Sequence, residues 1–248
     1  MSTGRIVVVG AAGQLGRALS AAFGDDAAVV PLTSADIDLT DDGSVAAALS
    51  DLGDGDVVLN AAAYTAVDDA ETHRDAAFAV NADGPRRLAA ATSSSGARLI
   101  HVSTDYVFTA QACTGRPFEP DDLVPSAVPA TVYGASKLAG ELAVRAEDSS
   151  AIVVRTAWVF TGGASSPDFV GTMRRLEEQR EQISVVDDQR GSPTYAPDLA
   201  EGLVELTRRV QAGESSGATL HAVNAGEGTW FDVARAVFAG VGADPQRV

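Results

Sequence analysis

Tyr133 and Lys137 lie four residues apart in the segment YGASK, and Lys137 is the only lysine of the chain. On a helix, side chains four residues apart project from one face. A free tyrosine has a pKa of about 10 and exchanges protons poorly at neutral pH, whereas a nearby ammonium favours the phenolate and lowers that pKa. The pair therefore predicts a tyrosine that gives or takes a proton, tuned by the lysine beside it. The motif alone also fits a solvated pair on a helix surface.

The use of lysine at this position supports the chemical interpretation. The other permanently charged basic side chains of the sequence are arginines. An ammonium is a compact charge on a flexible stem that can also bond a ribose hydroxyl, whereas a guanidinium is a larger planar group. We therefore expect a site at Lys137 that needs the geometry of an ammonium as well as its charge.

A third candidate group follows the segment RLIHVS. Ser103, Thr104 and Asp105 come just past the end of a predicted strand, and open parallel sheets bind ligands outside the carboxyl ends of their strands. A hydroxyl there can bond and polarise a carbonyl oxygen beside Tyr133. We therefore predict Thr104 as the third catalytic residue. The alternative is a strand-end threonine that satisfies backbone groups.

A glycine-rich loop lies near the start of the chain. Gly10, Gly13 and Gly16 form a G-x-x-G-x-x-G pattern, which directly follows an apolar run at 6–9 and opens a helix-like segment. Residues without a side chain let a pyrophosphate approach the backbone and meet the N–H groups of the helix N-terminus. The pattern predicts a dinucleotide site, and a glycine turn without a ligand is the alternative.

The sequence does not decide between NADPH and NADH. An acid at the end of the second strand holds a ribose 2′-hydroxyl, and an arginine there accommodates a 2′-phosphate. Here the second strand runs into Thr33 and Ser34, whose hydroxyls can serve a phosphate. Asp38 lies further on, and by itself it also fits a helix N-cap or a surface carboxylate.

These residues belong to a chain of alternating strand-like and helix-like segments. The strand-like segments are 6–9, 27–32, 57–59, 98–103 and 151–160, and the helix-like segments are 14–23, 44–52, 75–93, 133–147, 169–179 and 199–210. The alternation predicts an α/β fold, a Rossmann-type doubly wound parallel sheet with a small C-terminal substrate lobe. We predict an NAD(P)-binding domain at 1–161 and a smaller substrate-binding portion at 162–248. Alternatively, the second portion completes the same domain.

Composition and charge exclude several classes of protein. The formal net charge of −16 argues against a nucleic-acid binder, because phosphate backbones need basic faces. Cys113 is the only cysteine, so no intrachain disulfide is possible, and nothing in the sequence around it activates the thiol. The first residues do not read as a signal peptide, and no segment approaches the about 20 apolar residues that cross a bilayer. We expect a cytoplasmic protein with no membrane partner.

Several longer segments resemble the dTDP-4-dehydrorhamnose reductase family, a branch of the extended short-chain dehydrogenase/reductases. They are GAAGQLG, NAAAYTAVDDAE, STDYVF, YGASKLAGE, RTAWVF and GSPTYAPDLA, which occur in the family's order and cover most of the chain. The second and third are far more specific than a glycine loop alone. The resemblance implies reduction of the 4-keto group of dTDP-4-dehydro-L-rhamnose to dTDP-L-rhamnose, with NADPH or NADH as the cofactor.

The resemblance also implies roles for individual residues. Tyr133 would protonate the C4 oxygen as hydride arrives at C4, Lys137 would bond the nicotinamide ribose, and Thr104 would lie near the keto oxygen. Asp105 and Trp158 would contact the sugar, although Trp158 also fits a core aromatic at a strand end. The implied cofactor-binding residues are Gly10, Gly13, Gln14, Leu15, Gly16, Asp38, Leu39, Ala62, Ala63, Tyr64, Thr65, Tyr133 and Lys137. We add Arg190 as a candidate for the diphosphate of the sugar nucleotide.

Two features depart from the family pattern. Family members usually extend beyond the point at which this sequence stops, so we expect an apparently truncated substrate-binding portion. Some members hold Mg²⁺ at a dimer interface through a glutamate of the first helix, where Ala18 stands here. We therefore predict no metal site, and a homodimer remains a possibility.

The residues after Thr104 differ from those of two related types of enzyme, and two other functions stay open. A sugar-nucleotide 4,6-dehydratase needs an Asp-Glu pair after the threonine, but Tyr106 follows Asp105 here. A fucose-type epimerase-reductase needs a cysteine beside the catalytic hydroxyl, but Cys113 lies nine residues past Thr104. Another nucleotide-sugar reductase or epimerase of the group remains open. So does a non-catalytic, NADP-binding regulatory subunit, because such relatives can keep the Tyr/Lys pair.

Overall fold

The computed structural model describes residues 4–26, 28–108, 116–123, 128–214 and 216–248. Cys113, predicted to be inert, lies outside these residues. In chain order the elements are β1 (Ile6–Val9), α1 (Gln14–Phe23), β2 (Val29–Leu32), α2 (Asp42–Ala48), β3 (Val57–Asn60), α3 (Val67–Ala70), α4 (Arg74–Phe78), α5 (Gly84–Ser95), β4 (Arg98–Thr104), α6 (Val132–Glu147), β5 (Ile152–Thr156), β6 (Val159–Phe160), α7 (Phe169–Gln179), β7 (Arg190–Gly191), β8 (Thr194–Tyr195), α8 (Ala196–Gln211), β9 (Thr219–His221), β10 (Gly228–Thr229) and α9 (Trp230–Gly240).

A six-stranded sheet forms the centre of the molecule. Its strand order is β2-β1-β3-β4-β5-β9, and every neighbouring pair is parallel. Helices connect the strands, and parallel strands require such crossovers. The predicted fold class, α/β with a Rossmann-type parallel sheet, is confirmed.

The sheet has an apolar core on each face. In β1, Ile6 and Val8 belong to the core formed with α1 and α8, whereas Val7 and Val9 belong to the core formed with α2 and α5. Successive side chains of a strand point to opposite faces, so a continuous apolar run marks a strand that is covered on both sides. This is why the short apolar runs of the sequence predict buried strands rather than surface strands.

The long helix predicted at 75–93 contains a widened turn. Helices α4 and α5 are joined by a π-helical segment, Ala79–Asp83, and such single turns occur often at functional sites. In this segment Asn81 is fully buried. Its side chain accepts a hydrogen bond from the backbone N–H of Tyr64 (2.8 Å) and donates to the backbone carbonyl of Tyr64 (3.0 Å). The widened turn thereby fixes the loop that follows β3.

The strand predicted at 151–160 is divided into two. Strand β5 ends at Thr156 and belongs to the central sheet, whereas β6 begins at Val159 and pairs with β8. Between them, Trp158 has a φ of 47°, a left-handed conformation that is uncommon for a bulky residue. The chain therefore leaves the central sheet at Trp158, and an apolar run alone does not reveal such a break.

The part of the chain after residue 161 contributes to the central sheet as well as to a separate layer. Helix α8 packs on the core beneath α1 through Leu199, Leu203 and Val204, and β9 forms an edge of the sheet. The two-stranded sheets β6–β8 and β7–β10 form the separate layer, together with α7 and α9.

Within the described ranges, no helix is long and apolar enough to span a membrane.

Candidate active site

A cleft of about 1020 Å³ lies at the carboxyl edge of the central sheet. Its lining includes Gly10 after β1, Thr33 after β2, Ala61 after β3 and Ala157 after β5, and also Thr104, which ends β4. The carboxyl ends of parallel strands meet at one edge of a sheet, where ligands bind in open α/β folds. The volume is at the upper end of the range for small-molecule sites in proteins.

Most residues predicted for the site line this one cleft. They are Gly10, Gly13, Gln14, Leu15, Asp38, Leu39, Ala62, Ala63, Thr65, Thr104, Asp105, Tyr133, Lys137 and Trp158. Three predicted residues do not line it: Gly16, Tyr64 and Arg190. Gly16 packs beneath the glycine loop, and Arg190 forms an exposed ion pair of 3.0 Å with Glu227.

The glycine loop is shaped by close backbone contacts. Gly10 has a φ of 85°, and a Cβ atom there would lie 2.6 Å from the backbone nitrogen of Ala62. A Cβ atom on Gly16 would lie 2.2 Å from the carbonyl oxygen of Gly10. Gly13 is the N-cap of α1, and no side chain caps this helix end. The first N–H groups of α1 are therefore left for a ligand, as at other anion-binding helix N-termini.

Tyr64 is turned away from the cleft. Its hydroxyl donates to the carboxylate of Asp69, and its backbone is held by Asn81. The neighbouring Ala62 and Ala63 do line the cleft. The loop after β3 thus lines the cleft with its backbone and with the methyl groups of Ala62 and Ala63, whereas the ring of Tyr64 lies outside the cleft.

Asp38 lines the cleft and lies in a tight turn with Thr40. Its carboxylate accepts hydrogen bonds from the backbone N–H (2.8 Å) and the hydroxyl (2.7 Å) of Thr40. These bonds hold the pKa of Asp38 below its usual value. The N-cap of α2 is Asp41, not Asp38, so the helix-cap alternative for Asp38 is wrong.

Tyr133 lies in the first turn of α6 and is partly buried. Burial raises the pKa of its phenol to about 12; a hydrogen bond with Thr104 lowers that pKa, while the Asp105 carboxylate and Tyr106 raise it further. The ring of Tyr106 meets the ring of Tyr133 edge to face at 5.4 Å. The phenol therefore keeps its proton throughout the neutral range.

Lys137 is 2% exposed, and its Nζ donates to the backbone carbonyl of Val102 at 2.8 Å. Burial lowers the pKa of this ammonium to about 8, and the charge of Glu141 opposes that effect. The phenol of Tyr133 is thus less acidic than a free tyrosine, contrary to the expectation from its spacing with Lys137, because desolvation dominates its pKa.

Thr104 and Asp105 form a small polar unit at the end of β4. The Thr104 hydroxyl donates to Oδ1 of Asp105 at 3.1 Å, and it accepts a hydrogen bond from the backbone N–H of Tyr106 at 3.3 Å. Burial raises the pKa of Asp105 to about 6. The unit therefore places a hydroxyl and a carboxyl with a raised pKa beside the phenol of Tyr133.

An aromatic cluster forms the opposite wall. Trp158 stacks on Trp230 with ring centroids 3.6 Å apart and an interplanar angle of 12°, and Phe169 packs on Trp230 at 4.5 Å. A Cβ atom on Gly191 would lie 2.6 Å from Cε2 of Trp158. The absence of a side chain at Gly191 thus allows the stack. Trp230 and Phe169 line the cleft but were not predicted, because no local pattern marks their contact with Trp158.

A hydrogen-bond network ties the glycine loop to this wall. Nε2 of Gln14 donates to Oγ of Ser166 (2.8 Å) and to Oδ2 of Asp168 (3.0 Å). Asp168 also caps α7 by accepting from the backbone N–H of Gly171 at 2.8 Å. An aspartate just before a helix-like segment is a readable N-cap signal, but its partner in the glycine loop is not readable from the sequence.

One arginine of the cleft was also missed. Arg17 follows the glycine loop and lines the cleft together with Thr33 and Ser34, the two hydroxyl residues that follow β2. Its guanidinium donates to the backbone carbonyl of Ala12. An arginine with neighbouring hydroxyls is suited to bind a phosphate group.

Together these groups can deliver a proton to a carbonyl oxygen. Tyr133 carries the proton, Thr104 supplies a second hydroxyl, and Lys137 supplies a buried ammonium within the same cleft. A phenol and a hydroxyl placed at one oxygen stabilise the negative charge that develops there as a carbonyl is reduced.

Comparisons with known proteins agree with this geometry. The model of the family described as RmlD substrate binding domain matches residues 4–248. A dTDP-4-dehydrorhamnose reductase of Mycobacterium tuberculosis (strain ATCC 25618 / H37Rv) is 52% identical, over 98% of this chain and 78% of that protein. A dTDP-4-keto-6-deoxy-D-glucose reductase of Streptomyces niveus is 42% identical, over 99% of this chain and 82% of that protein.

A solved structure is similar over nearly the whole chain. It is the crystal structure of dTDP-4-dehydrorhamnose reductase from Bacillus anthracis str. Ames in complex with NADP, with a TM-score of 0.84 and 34% identity. The match covers 98% of this chain and 82% of that chain.

Proposed function

The chain belongs to the RmlD substrate-binding-domain family, and we propose that it is an NAD(P)H-dependent oxidoreductase that reduces the 4-keto group of dTDP-4-dehydro-L-rhamnose to give dTDP-L-rhamnose. The observation that carries this proposal is the meeting of Thr104, Tyr133 and Lys137 in one cleft with the glycine loop. The M. tuberculosis relative, 52% identical, is a dTDP-4-dehydrorhamnose reductase, which supports the choice of substrate.

The cleft fits a dinucleotide. Gly10 and Gly13 leave the backbone open, and the uncapped N-terminus of α1 suits a pyrophosphate. Thr33, Ser34 and Arg17 suit a phosphate on the adenosine ribose, which favours NADPH. The similar structure from B. anthracis holds NADP. The remaining residues that we propose to hold the cofactor are Gln14, Leu15, Asp38, Leu39, Ala62, Ala63, Tyr133 and Lys137. When bound, the nicotinamide supplies the hydride.

Tyr133 acts as the proton donor in this proposal. A pKa raised to about 12 means that the phenol is protonated at every pH at which such an enzyme works. A carbonyl oxygen that gains negative charge becomes a far stronger base than the carbonyl itself, so a phenol in contact with it transfers its proton. The Thr104 hydroxyl lines the same cleft beside Tyr133 and is proposed to bind the same oxygen.

The sugar is proposed to bind between the two walls of the cleft. Asp105, beside Tyr133, offers a carboxyl for sugar hydroxyls, and Trp158 on the opposite wall offers the face of a ring held in place by Trp230. We propose that the substrate-binding portion begins near residue 162, as expected from the sequence, and that α8 and β9 within it also support the sheet. The cytoplasmic location and the homodimer stay predictions.

Two other functions remain candidates. The S. niveus relative is named for a dTDP-4-keto-6-deoxy-D-glucose, so the configuration of the keto sugar is the first alternative. A regulatory, NADP-binding subunit is the second. The burial of Lys137 in the cleft that Tyr133 also lines favours catalysis, since a pair without a catalytic role does not need a desolvated ammonium.

A turnover experiment separates these functions. The purified chain is supplied with NADPH and either dTDP-4-dehydro-L-rhamnose or dTDP-4-keto-6-deoxy-D-glucose, and both cofactor oxidation and the sugar product are measured. A higher kcat/KM for the first sugar is expected. A higher value for the second sugar would favour the alternative reductase, and cofactor binding without turnover of either would favour the regulatory subunit.

A further inference from the structure

Three functional side chains repeat at four-residue intervals along α6. Tyr133 and Lys137 are followed one turn later by Glu141, and residues spaced in this way share a helix face. Lys137 is 2% exposed and Glu141 is 4% exposed. A carboxylate that is so deeply buried requires charged or hydrogen-bonding partners, and the identity of these partners indicates what Glu141 does.

Glu141 is held by two strand residues. Its Oε1 accepts from the hydroxyl of Ser103 at 2.5 Å, and Arg155 donates to it from Nε (3.0 Å) and, at Oε2, from Nη2 (2.7 Å). Arg155 is itself fixed, since its Nη1 donates to the carbonyl of Pro120 at 2.9 Å. The carboxylate therefore stands at a defined place behind Lys137, on the side away from Tyr133.

The ammonium of Lys137 is buried and has little water around it to stabilise its charge. Its hydrogen-bond acceptor, the Val102 carbonyl, is neutral, and burial disfavours an ammonium. The titratable and charged groups around it are Tyr133 and Glu141 on its own helix, His101 on β4 and Arg155 on β5. His101 is buried, its pKa is held well below its usual value by burial and by the Lys137 charge, and it is therefore neutral. The charge of Glu141 is the one that favours the ammonium.

We propose that Glu141 is a positioning residue that keeps the Lys137 side chain charged and in line with Tyr133, while Ser103 and Arg155 hold the Glu141 carboxylate in place. The charge on Lys137 is a property of the protein alone. Its consequence for catalysis rests on the proposed function, since an ammonium bonds a cofactor hydroxyl more strongly than a neutral amine does and stabilises the phenolate once the proton has left Tyr133.

The single lysine allows a direct measurement. Protein produced with lysine isotopically labelled at Cε gives one side-chain NMR signal, and its chemical shift is followed against pH without cofactor or substrate. We expect a midpoint of about 8 in the unchanged chain. In Glu141→Gln we expect it at least about one pH unit lower, the loss typical of a nearby opposite charge. An unchanged midpoint in folded Glu141→Gln would overturn the proposal.

Three further variants keep the test decisive. Glu141→Gln leaves the Arg155 guanidinium buried without its partner, which is strongly destabilising. The double variant Glu141→Gln/Arg155→Gln removes both charges and is the second form to be measured. Its midpoint should lie below that of Arg155→Gln, which keeps the Glu141 charge, and equal midpoints in these two variants would overturn the proposal equally. Glu147→Gln, at the exposed end of the same helix, is the matched control and should leave the midpoint where it is.

The pH profile of the rate then separates positioning from mere folding. In the variant that folds, the fall of kcat/KM at alkaline pH (its alkaline limb) should move to lower pH together with the midpoint of the lysine NMR titration. Activity should recover as the pH is lowered. A lysine midpoint that moves while the limb stays fixed would contradict the positioning role. A uniform loss of rate at every pH would contradict it as well. Neither outcome bears on whether the chain reduces a keto sugar.

Discussion

The two walls of the cleft hold their residues in different ways. The sheet wall comprises β1 to β5 with α1 to α6, whereas the aromatic lobe, residues 157–195 and 222–248, contains β6, β7, β8, β10, α7 and α9. In the sheet wall, strands of four to seven residues pair in parallel, and β1, β3 and β5 are buried along their whole length. In the aromatic lobe the strands are two residues long, and rings stack on one another.

This difference separates chemistry from recognition. The sheet wall carries the groups whose placement must be rigid, and these include the buried ion pair of Glu141 and Arg155. The aromatic lobe contains partly exposed helix caps such as Asp168, which cost less to rearrange. Substitutions in the sheet wall should therefore act mainly on kcat, and substitutions in the aromatic lobe mainly on the KM of the sugar nucleotide.

The largest effect is expected for Tyr133→Phe in the sheet wall. The change removes the proposed proton donor but keeps the ring and its edge contact with Tyr106. A positioned general acid contributes about 10²–10⁴-fold, so kcat should fall by that factor while the Kd of NADPH stays nearly unchanged. Steady-state kinetics with the keto sugar and a fluorescence titration with NADPH measure the two quantities.

Tyr195→Phe is the matched control, because this tyrosine is 39% exposed, lies in β8 and does not line the cleft. It should leave both quantities as they are. A Tyr133→Phe enzyme that keeps its full rate would remove the phenol from the mechanism, and the sheet wall would then not be the chemical side of the cleft.

Lys137→Arg should give the next largest loss although it conserves the charge. The guanidinium is larger, the site is 2% exposed, and overpacking of such a site costs about 1–3 kcal/mol. Displacement of the groups around Tyr133 by about 1 Å reduces the rate by about 10²-fold. Thermal unfolding and kcat measure the two effects. Full activity of Lys137→Arg would show that charge alone is needed at this position.

The sheet wall was largely predictable from the sequence, whereas in the aromatic lobe the prediction reached α7 at 169–179 and the place of Trp158 in the cleft but not the contacts between its rings. Apolar runs such as 6–9 and the glycine spacing are local patterns, and the rule that parallel strands end at one edge brings Gly10, Thr104 and Tyr133 together. The stack of Trp158 on Trp230 joins residues that are far apart in the chain, and no periodicity signals it. The same holds for the bond between Gln14 and Asp168.

Burial also changed one chemical expectation. From the spacing of Tyr133 and Lys137 we expected a tyrosine with a lowered pKa, but desolvation raises that pKa to about 12. Sequence spacing gives the relative direction of two side chains on a helix, but it does not give the amount of water around each of them. The sign of a pKa shift depends on that water as much as on the neighbouring charge.

Gly191→Ala tests the aromatic lobe. The new Cβ would meet the ring of Trp158 at 2.6 Å, so the ring must leave its stack with Trp230. Stacked aromatic pairs contribute about 0.5–1.5 kcal/mol beyond their buried area, and a loss of that size in substrate binding raises the KM of the sugar nucleotide by about two- to tenfold. The Kd of NADPH should not change. The measurement is a KM for each substrate with the other saturating.

Gly202→Ala provides the control for a glycine-to-alanine change. A Cβ there meets nothing within 4 Å, and Gly202 lies within α8. Since alanine favours a helix by about 1 kcal/mol over glycine, this variant should be slightly more stable and kinetically unchanged. If Gly191→Ala lowered kcat as much as Tyr133→Phe does, the division between a chemical wall and a recognition wall would fail.

The smallest expected effect is a pH dependence that belongs to the sheet wall alone. Burial lowers the pKa of Lys137 to about 8, so its charged fraction falls as the pH rises through that value. The kcat/KM for NADPH reports groups of the free enzyme and should fall to half of its plateau at a pH of about 8. Tyr133 stays protonated there, since its pKa is about 12.

Because the ring of Trp158 carries no titratable group, Gly191→Ala should show the same fall of the rate at alkaline pH, at a lower rate with subsaturating sugar. Displacement of that limb in Gly191→Ala would mean that the two walls are coupled, and a profile flat through pH 8 in the unchanged chain would mean that the charge on Lys137 is not required.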